Sequence, residues 1–381
     1  MVSRKSGAIT PFLVMDVLER AQEMERAGRH VIHLEVGEPD FDTPGVVKEA
    51  AVRALKEGKT HYTHSMGLLE LREAISKRYW DWYRVPVSPD CILITAGSSP
   101  GIQLVFSALL EEGDEVVLSD PGYACYFNMI AFQGGIPLTV EVSEEESFQY
   151  YPDAIARKIS PRTRGIVINS PANPTGMLLS PERVENIAQL GPMLLSDEIY
   201  HGLTYGEKAH SVLEFTDRAF VFNGFSKLYA MTGWRLGYVI VPPNFARTVQ
   251  KIHQNFFISA NAFVQWAGVA ALCQAATDVA SMVAIYDERR RLMIQGLREL
   301  GFGITHEPRG AFYVFANARQ LGGDSLRLSM DILERVQVAV APGIDFGANG
   351  EGYLRFCYAN SVGRIEEALG RLKRYLEMTL K

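Results

Sequence analysis

Seven short apolar runs between residues 92 and 241 restrict the possible folds of this chain more than any other feature. They are Ile92 to Thr95, Val116 to Ser119, Leu138 to Val142, Gly165 to Asn169, Met193 to Ser196, Ala219 to Asn223 and Tyr238 to Val241, with helically patterned segments between them. Strands this apolar have no polar face to turn to water, so they must be covered on both sides. Helices between them meet that need. The pattern predicts an α/β fold, a mostly parallel seven-stranded sheet with helices on both faces.

The flanks read differently. Residues 11 to 28 place Val14, Val17, Leu18, Ala21 and Met24 at helical spacing, and an extended run follows from Val31 to Val36. After a long helical stretch from about 247 to 299 comes a smaller set: Phe312 to Ala316, a helix near Leu326 to Glu334, Val338 to Ala341, and Tyr353 to Cys357. This predicts a large domain over 41–285 and a smaller α+β domain built from 1–40 and 286–381, divided at a bend near 285. A chain of 381 residues, 47% hydrophobic, has enough apolar mass for about two such domains.

Charge and composition exclude several partners. A net charge of -6 leaves no basic excess to hold a nucleic acid or an anionic membrane. The start, Met1 to Gly7, lacks the apolar core of a signal peptide, and no run of about 18 apolar residues follows, which predicts a cytoplasmic protein. Cys91, Cys125, Cys273 and Cys357 are scattered and read as reduced core thiols. His61 and His64 lack partner carboxylates, so a structural or phosphate-side role is expected and no metal.

In open α/β sheets, ligands bind beyond the carboxyl ends of the strands. Gly97, Ser98 and Ser99 follow the first run and open a helical segment, as a phosphate cup would, although the same residues would serve as an ordinary helix cap. Tyr123 follows Asp120-Pro121-Gly122 and offers either a flat ring for a heterocycle or a core tyrosine. Asn173, between two prolines, is either a turn residue or a fixed amide for a ring hydroxyl and a carboxylate. Asp197 and Tyr200 end the fifth run; the carboxylate can keep a pyridine nitrogen protonated or cap a helix, and the phenol can donate to a ring oxygen. Ser226-Lys227 and Arg235 follow the sixth. A lysine condenses with aldehydes and an arginine suits phosphate. Pyridoxal phosphate carries both groups, and the order of the whole set along the chain favours it.

Taken together, Gly37-Glu38-Pro39-Asp40-Phe41, Tyr62 with Gly67 and Glu70-Leu71-Arg72, Asn173-Pro174-Thr175-Gly176, Asp197-Glu198-Ile199-Tyr200, Ser226-Lys227 and Gly233-Trp234-Arg235-Leu236-Gly237 resemble the class I/II aminotransferase family of fold type I pyridoxal-phosphate enzymes. The resemblance covers nearly the whole chain. It implies an aminotransferase that moves the α-amino group of an L-amino acid to a 2-oxo acid by ping-pong kinetics, through a Schiff base on Lys227. It further implies Asp197 as the pyridine partner, Ser226 and Arg235 as phosphate ligands, and Arg355 with Asn173 and the Gly37 backbone as the substrate-carboxylate clamp. Tyr62 would reach the phosphate of a second subunit, giving a homodimer with shared sites, and the small domain would close over the substrate.

Two positions depart from the family's pattern. Gly224 stands where some relatives have a phosphate-binding serine, and Cys357 stands where serine is common. No arginine is evidently placed for a side-chain carboxylate, which puts dicarboxylate substrates in doubt; Phe12, Leu13, Tyr123 and Ile258 are candidate walls for an apolar or small side chain. A β-elimination lyase or synthase would use the same lysine and stays open as the alternative. Gly224-Phe225-Ser226-Lys227-Leu228 lacks the last glycine of a hydrolase elbow, and Gly301-Phe302-Gly303 does not continue as a dinucleotide fingerprint. No helix-turn-helix segment is appended to suggest a ligand sensor.

Overall fold

A computed structural model describes residues 2–379. Its strands, in chain order, are Ile32–His33 (β1), Ile92–Thr95 (β2), Glu115–Asp120 (β3), Ile136–Glu141 (β4), Thr163–Asn169 (β5), Met193–Asp197 (β6), Ala219–Gly224 (β7), Gly237–Ile240 (β8), Tyr313–Asn317 (β9), Val338–Ala339 (β10), Ala341–Pro342 (β11) and Tyr353–Cys357 (β12). The seven apolar runs form one sheet in the order β2-β8-β7-β6-β5-β3-β4. Only β8 runs against its neighbours.

Successive residues of each strand feed opposite layers, as the two-residue period of a strand requires. Ile94, Val117, Ile166 and Val221 enter one core with the helices Leu69–Tyr83 and Ala262–Gln274, while Leu93, Val116, Val167 and Phe220 enter the other with Ser98–Leu109 and Cys125–Phe132. The inner runs therefore stay buried on both faces, while β4, at the end of the sheet, is only partly buried.

The chain ends build a second layer. β9, β11 and β12 form an antiparallel sheet, and β1 pairs with β10 in parallel, joining the N-terminal arm to the C-terminal segment. The expected single strand from Val338 to Ala341 is two short strands in separate sheets: Val340 leaves the ladder, and its carbonyl instead accepts from Ser329 Oγ at 2.6 Å. Only Ile32–His33 of the run Val31 to Val36 is a strand, because the Leu34 and Glu35 carbonyls turn to the Cys357 amide and the Arg355 guanidinium.

The helical stretch is three helices, Pro243–Phe256, Ala262–Gln274 and Ala276–Glu299. Its sharp bend lies at Ala275 and not near 285: the axes on either side turn by 76°, whereas Ala276–Glu299 passes 285 as one helix. No single helix among the described residues is long and apolar enough to cross a membrane.

Candidate active site

Because β2, β3, β5, β6 and β7 run the same way, their carboxyl ends lie along one edge of the sheet. β8 is antiparallel, so its amino end lies at that edge too and brings Arg235, two residues before it, to the others. Here a cleft of about 300 Å³ opens between the sheet and the second layer. Following the strand order along that edge, Ser98 and Ser99, Arg235, Ser226 and Lys227, Asp197 and Tyr200, Asn169 and Asn173, and Tyr123 line it in turn. Gly37 and Arg355 face them from the second layer. All the expected site residues meet here except Gly97, which sits just behind Ser98, and Tyr62. Tyr62 is 81% exposed and lines a separate groove with Ser259 and Phe263.

One end of the cleft is built for an anion. The helix Ser98–Leu109 starts after Gly97, at φ 102°, and no side chain caps it, so the amides of its first turn face the cleft without a capping acceptor. A Cβ on Gly97 would run into the Arg235 guanidinium. Arg235 Nη1 donates to the Thr232 carbonyl at 3.0 Å; the other guanidinium donors have no protein partner among the described residues. Gly224, the first departure noted above, has a steric cause: a Cβ there would lie 3.0 Å from the Leu236 carbonyl oxygen and 3.1 Å from Gly237 Cα. A serine there would need β8 to give by a few tenths of an ångström.

The middle of the cleft is tuned by burial. Asp197 Oδ2 accepts from Tyr126 at 2.6 Å and Oδ1 from the Ile199 amide at 3.1 Å. Burial raises its pKa to about 6, and those two donors and the nearby Lys227 limit the rise. Lys227 Nζ donates to the Gly37 carbonyl at 2.6 Å, and burial lowers its pKa to about 8. Tyr200 shares a 2.7 Å hydrogen bond with the Tyr313 hydroxyl. Asn169 links two of these parts: its Nδ2 donates to the Asp197 carbonyl at 3.0 Å and its Oδ1 accepts from the Asn173 amide at 2.8 Å.

At the far end, Arg355 is 2% exposed. It lies between the Tyr313 and Phe346 rings, 4.3 and 4.8 Å from their centroids. Its Nη1 donates to Asn173 Oδ1 at 2.7 Å, Nη2 donates to the Glu35 carbonyl, and buried Nε has no partner. A buried guanidinium with a spare donor suits a carboxylate. Cys357, two residues on, is buried and burial raises its pKa to about 11, so it packs as a neutral thiol.

Tyr126, Tyr313 and Asn169 were not found by sequence reasoning. Tyr126 follows Tyr123 at helical spacing and Tyr313 sits in an apolar strand, so both read as core. Of the expected pocket walls, Phe12 and Tyr123 line the cleft; Leu13 does not, and Ile258 is 48% exposed and outside it. His64 serves a turn, its Nδ1 accepting from the Met66 amide at 3.2 Å.

An amine of lowered pKa, a buried carboxylate, a cleft lined by Tyr123 and an anion cradle fit pyridoxal phosphate. The comparisons agree with that chemistry. Residues 29–372 match the model of aminotransferase class I and II, and the chain belongs to this family. It is 42% identical to a (5-formylfuran-3-yl)methyl phosphate transaminase of Methanocaldococcus jannaschii, across 99% of this chain and all of the relative. It is 40% identical to an aspartate aminotransferase of Pyrococcus horikoshii, across 96% of this chain and 94% of the relative. The solved structure of the Thermus thermophilus aspartate aminotransferase with maleate matches at a TM-score of 0.95 and 36% identity, covering 98% of this chain and 99% of the other. The protein is a pyridoxal-phosphate-dependent aminotransferase that acts on amino acids and 2-oxo acids. These relatives carry the transamination reading and not the elimination alternative.

Proposed function

We propose that Lys227 is both the covalent anchor of the cofactor and the base of the reaction. The observation that carries this is its position: the only lysine lining the cleft among the described residues, held at 2.6 Å by the Gly37 carbonyl and depressed to a pKa of about 8. Pyridoxal phosphate supplies the electron sink for the pair left when the α-proton departs. Lys227 Nζ takes that proton and hands it back, and a pKa near the working pH suits both transfers. Asp197, steadied by Tyr126, holds a proton on the pyridine nitrogen. Tyr200 donates to the ring oxygen, and Tyr123 and Asn173 orient the ring. Gly97, Ser98, Ser99, Ser226 and Arg235 hold the phosphate. Arg355 clamps the α-carboxylate, with Asn173 and the Gly37 backbone fixing its direction.

Residues 41–285 then form the cofactor-binding domain, and 1–40 with 286–381 a smaller domain that closes over the substrate. Tyr62 acts on the phosphate of a second copy in a cytoplasmic homodimer. Its exposure, and that of Phe256, Phe257 and Ile258 on the segment leading into the groove it lines, support a covering partner.

The test is a half-reaction. Single amino acids added to cofactor-loaded protein, without any oxo acid, should shift the visible absorbance and release one equivalent of 2-oxo acid. Lys227→Ala should lower that rate by roughly 10³-fold or more. Release of ammonia or a thiol in place of the oxo acid would sink transamination, and undiminished turnover in the variant would sink the role of Lys227.

A further inference from the structure

The distal half of the cleft is walled by the N-terminal arm. Phe12, Val14 and Met15 line it at the start of the helix Leu13–Arg26, and Phe12 meets the Tyr123 ring edge-on at 6.2 Å between centroids. This helix has no side-chain cap of its own, because Phe12 occupies the N-cap position. The cap comes from the other end of the chain. Asp345, 9% exposed, accepts from the Leu13 amide at 2.8 Å through Oδ1 and from the Val14 amide at 3.2 Å through Oδ2. A second clasp lies just upstream, where Asn128 accepts from the Thr10 amide at 3.1 Å and donates to the Thr10 carbonyl at 3.1 Å. Pro11 and Phe12 are the two residues between the clasps.

The cations lining the cleft are Lys227, Arg235 and Arg355, and each already has a role above. Among the described residues lining the cleft none remains for a second substrate carboxylate, while Glu38 adds a carboxylate at the mouth, where Thr232 Oγ1 donates to it. Val14, part of the wall, also packs with Phe315, Phe346 and Tyr353. Phe346 also lies against Arg355, which is held separately by its hydrogen bonds to Asn173 and the Glu35 carbonyl.

We propose that Asp345 is a specificity-positioning residue: by capping the N-terminal helix from across the fold it holds Phe12, Val14 and Met15 against the site, so that the enzyme takes amino acids with neutral, apolar side chains in preference to dicarboxylates. This rests on the amino-acid reading above and names the substrate class within it. Asp345 touches no reacting atom. Losing it frees the first turn of the helix and lets the wall recede, which weakens the grip on a large apolar side chain and leaves the α-carboxylate clamp and Lys227 in place.

Half-reaction rates with L-leucine, L-phenylalanine, L-alanine and L-aspartate test this. The native enzyme should favour leucine and phenylalanine over aspartate by about tenfold or more, the size of effect one well-packed side chain gives. Asp345→Ala should erase most of that ratio through KM, with kcat nearly constant and alanine little changed, because a methyl group does not reach the wall. Asp345→Asn keeps one acceptor oxygen and should fall between. Phe12→Ala removes the wall without touching the cap; it should reproduce the loss, and the double variant should be no worse than the poorer single one. Native preference for aspartate would overturn the proposal. So would an Asp345→Ala enzyme that slows with all four amino acids by one common factor or changes only in thermal midpoint. A native enzyme that binds cofactor through Lys227 yet reacts with none of the four would overturn the amino-acid reading itself, and this inference with it.

Discussion

At the scale of single residues, the site is tuned by what surrounds each group. Asp197 sits in a place that favours its neutral form, and the Tyr126 hydroxyl is the first counterweight to that burial. Removing the donor in Tyr126→Phe therefore moves the carboxyl pKa further up. A protonated Asp197 cannot hold a proton on the pyridine nitrogen, so the acid limb of the half-reaction should move to higher pH. A hydrogen bond to a charged group is worth about 1.5–3 kcal/mol, which corresponds to a displacement of roughly one pH unit or more. A pH–rate profile of the two proteins measures it, and an unmoved limb would detach Tyr126 from this role. The sequence shows Asp197 at a strand end but not the phenol above it, since Tyr126 and Asp197 lie 71 residues apart.

At the scale of elements, the anion cradle depends on close backbone approach. Gly237 opens β8 opposite Thr95 and Gly224, and a Cβ there would meet Gly97 C at 2.5 Å and Ser98 N at 2.6 Å. Both are backbone atoms and cannot turn aside. Gly237→Ala should push the start of the helix Ser98–Leu109 outward, destabilising the fold by about 1–3 kcal/mol and weakening cofactor binding about tenfold. Gly233→Ala is the control, because nothing lies within 4 Å of its added Cβ. Cofactor titration of both variants distinguishes a specific effect from a general one. Equal affinities would show that the approach at Gly237 is not needed for the cradle. The strand pattern was legible because apolar runs record burial on both faces. Split elements such as β10 and β11, and the bend at Ala275, were not, because partners distant in sequence decide them.

At the scale of the whole molecule, the proposed dimer makes a prediction that one chain cannot fulfil. If Tyr62 serves the partner's site, mixing inactive Lys227→Ala protein with impaired Tyr62→Phe protein after subunit exchange should restore activity in the hybrid, whose intact lysine then meets an intact tyrosine from the other copy. About a quarter of the native activity is expected from a statistical mixture, in which half the dimers are hybrids with one complete site. No gain over the Tyr62→Phe parent would refute the sharing. By itself the sequence determined the sheet and its helical cover, the order in which cradle, ring contact, carboxylate and lysine follow the strands, and the cofactor that such a set serves; these are local properties, set by burial pattern and side-chain chemistry. The family resemblance already brought Arg355 to Asn173, 182 residues away, but the tertiary structure alone decided that the two hydrogen-bond directly and that Asp345 caps a helix 331 and 332 residues upstream. Contacts that close such long loops leave no periodic trace in the chain, because the pairing depends on the packing of the layers between them.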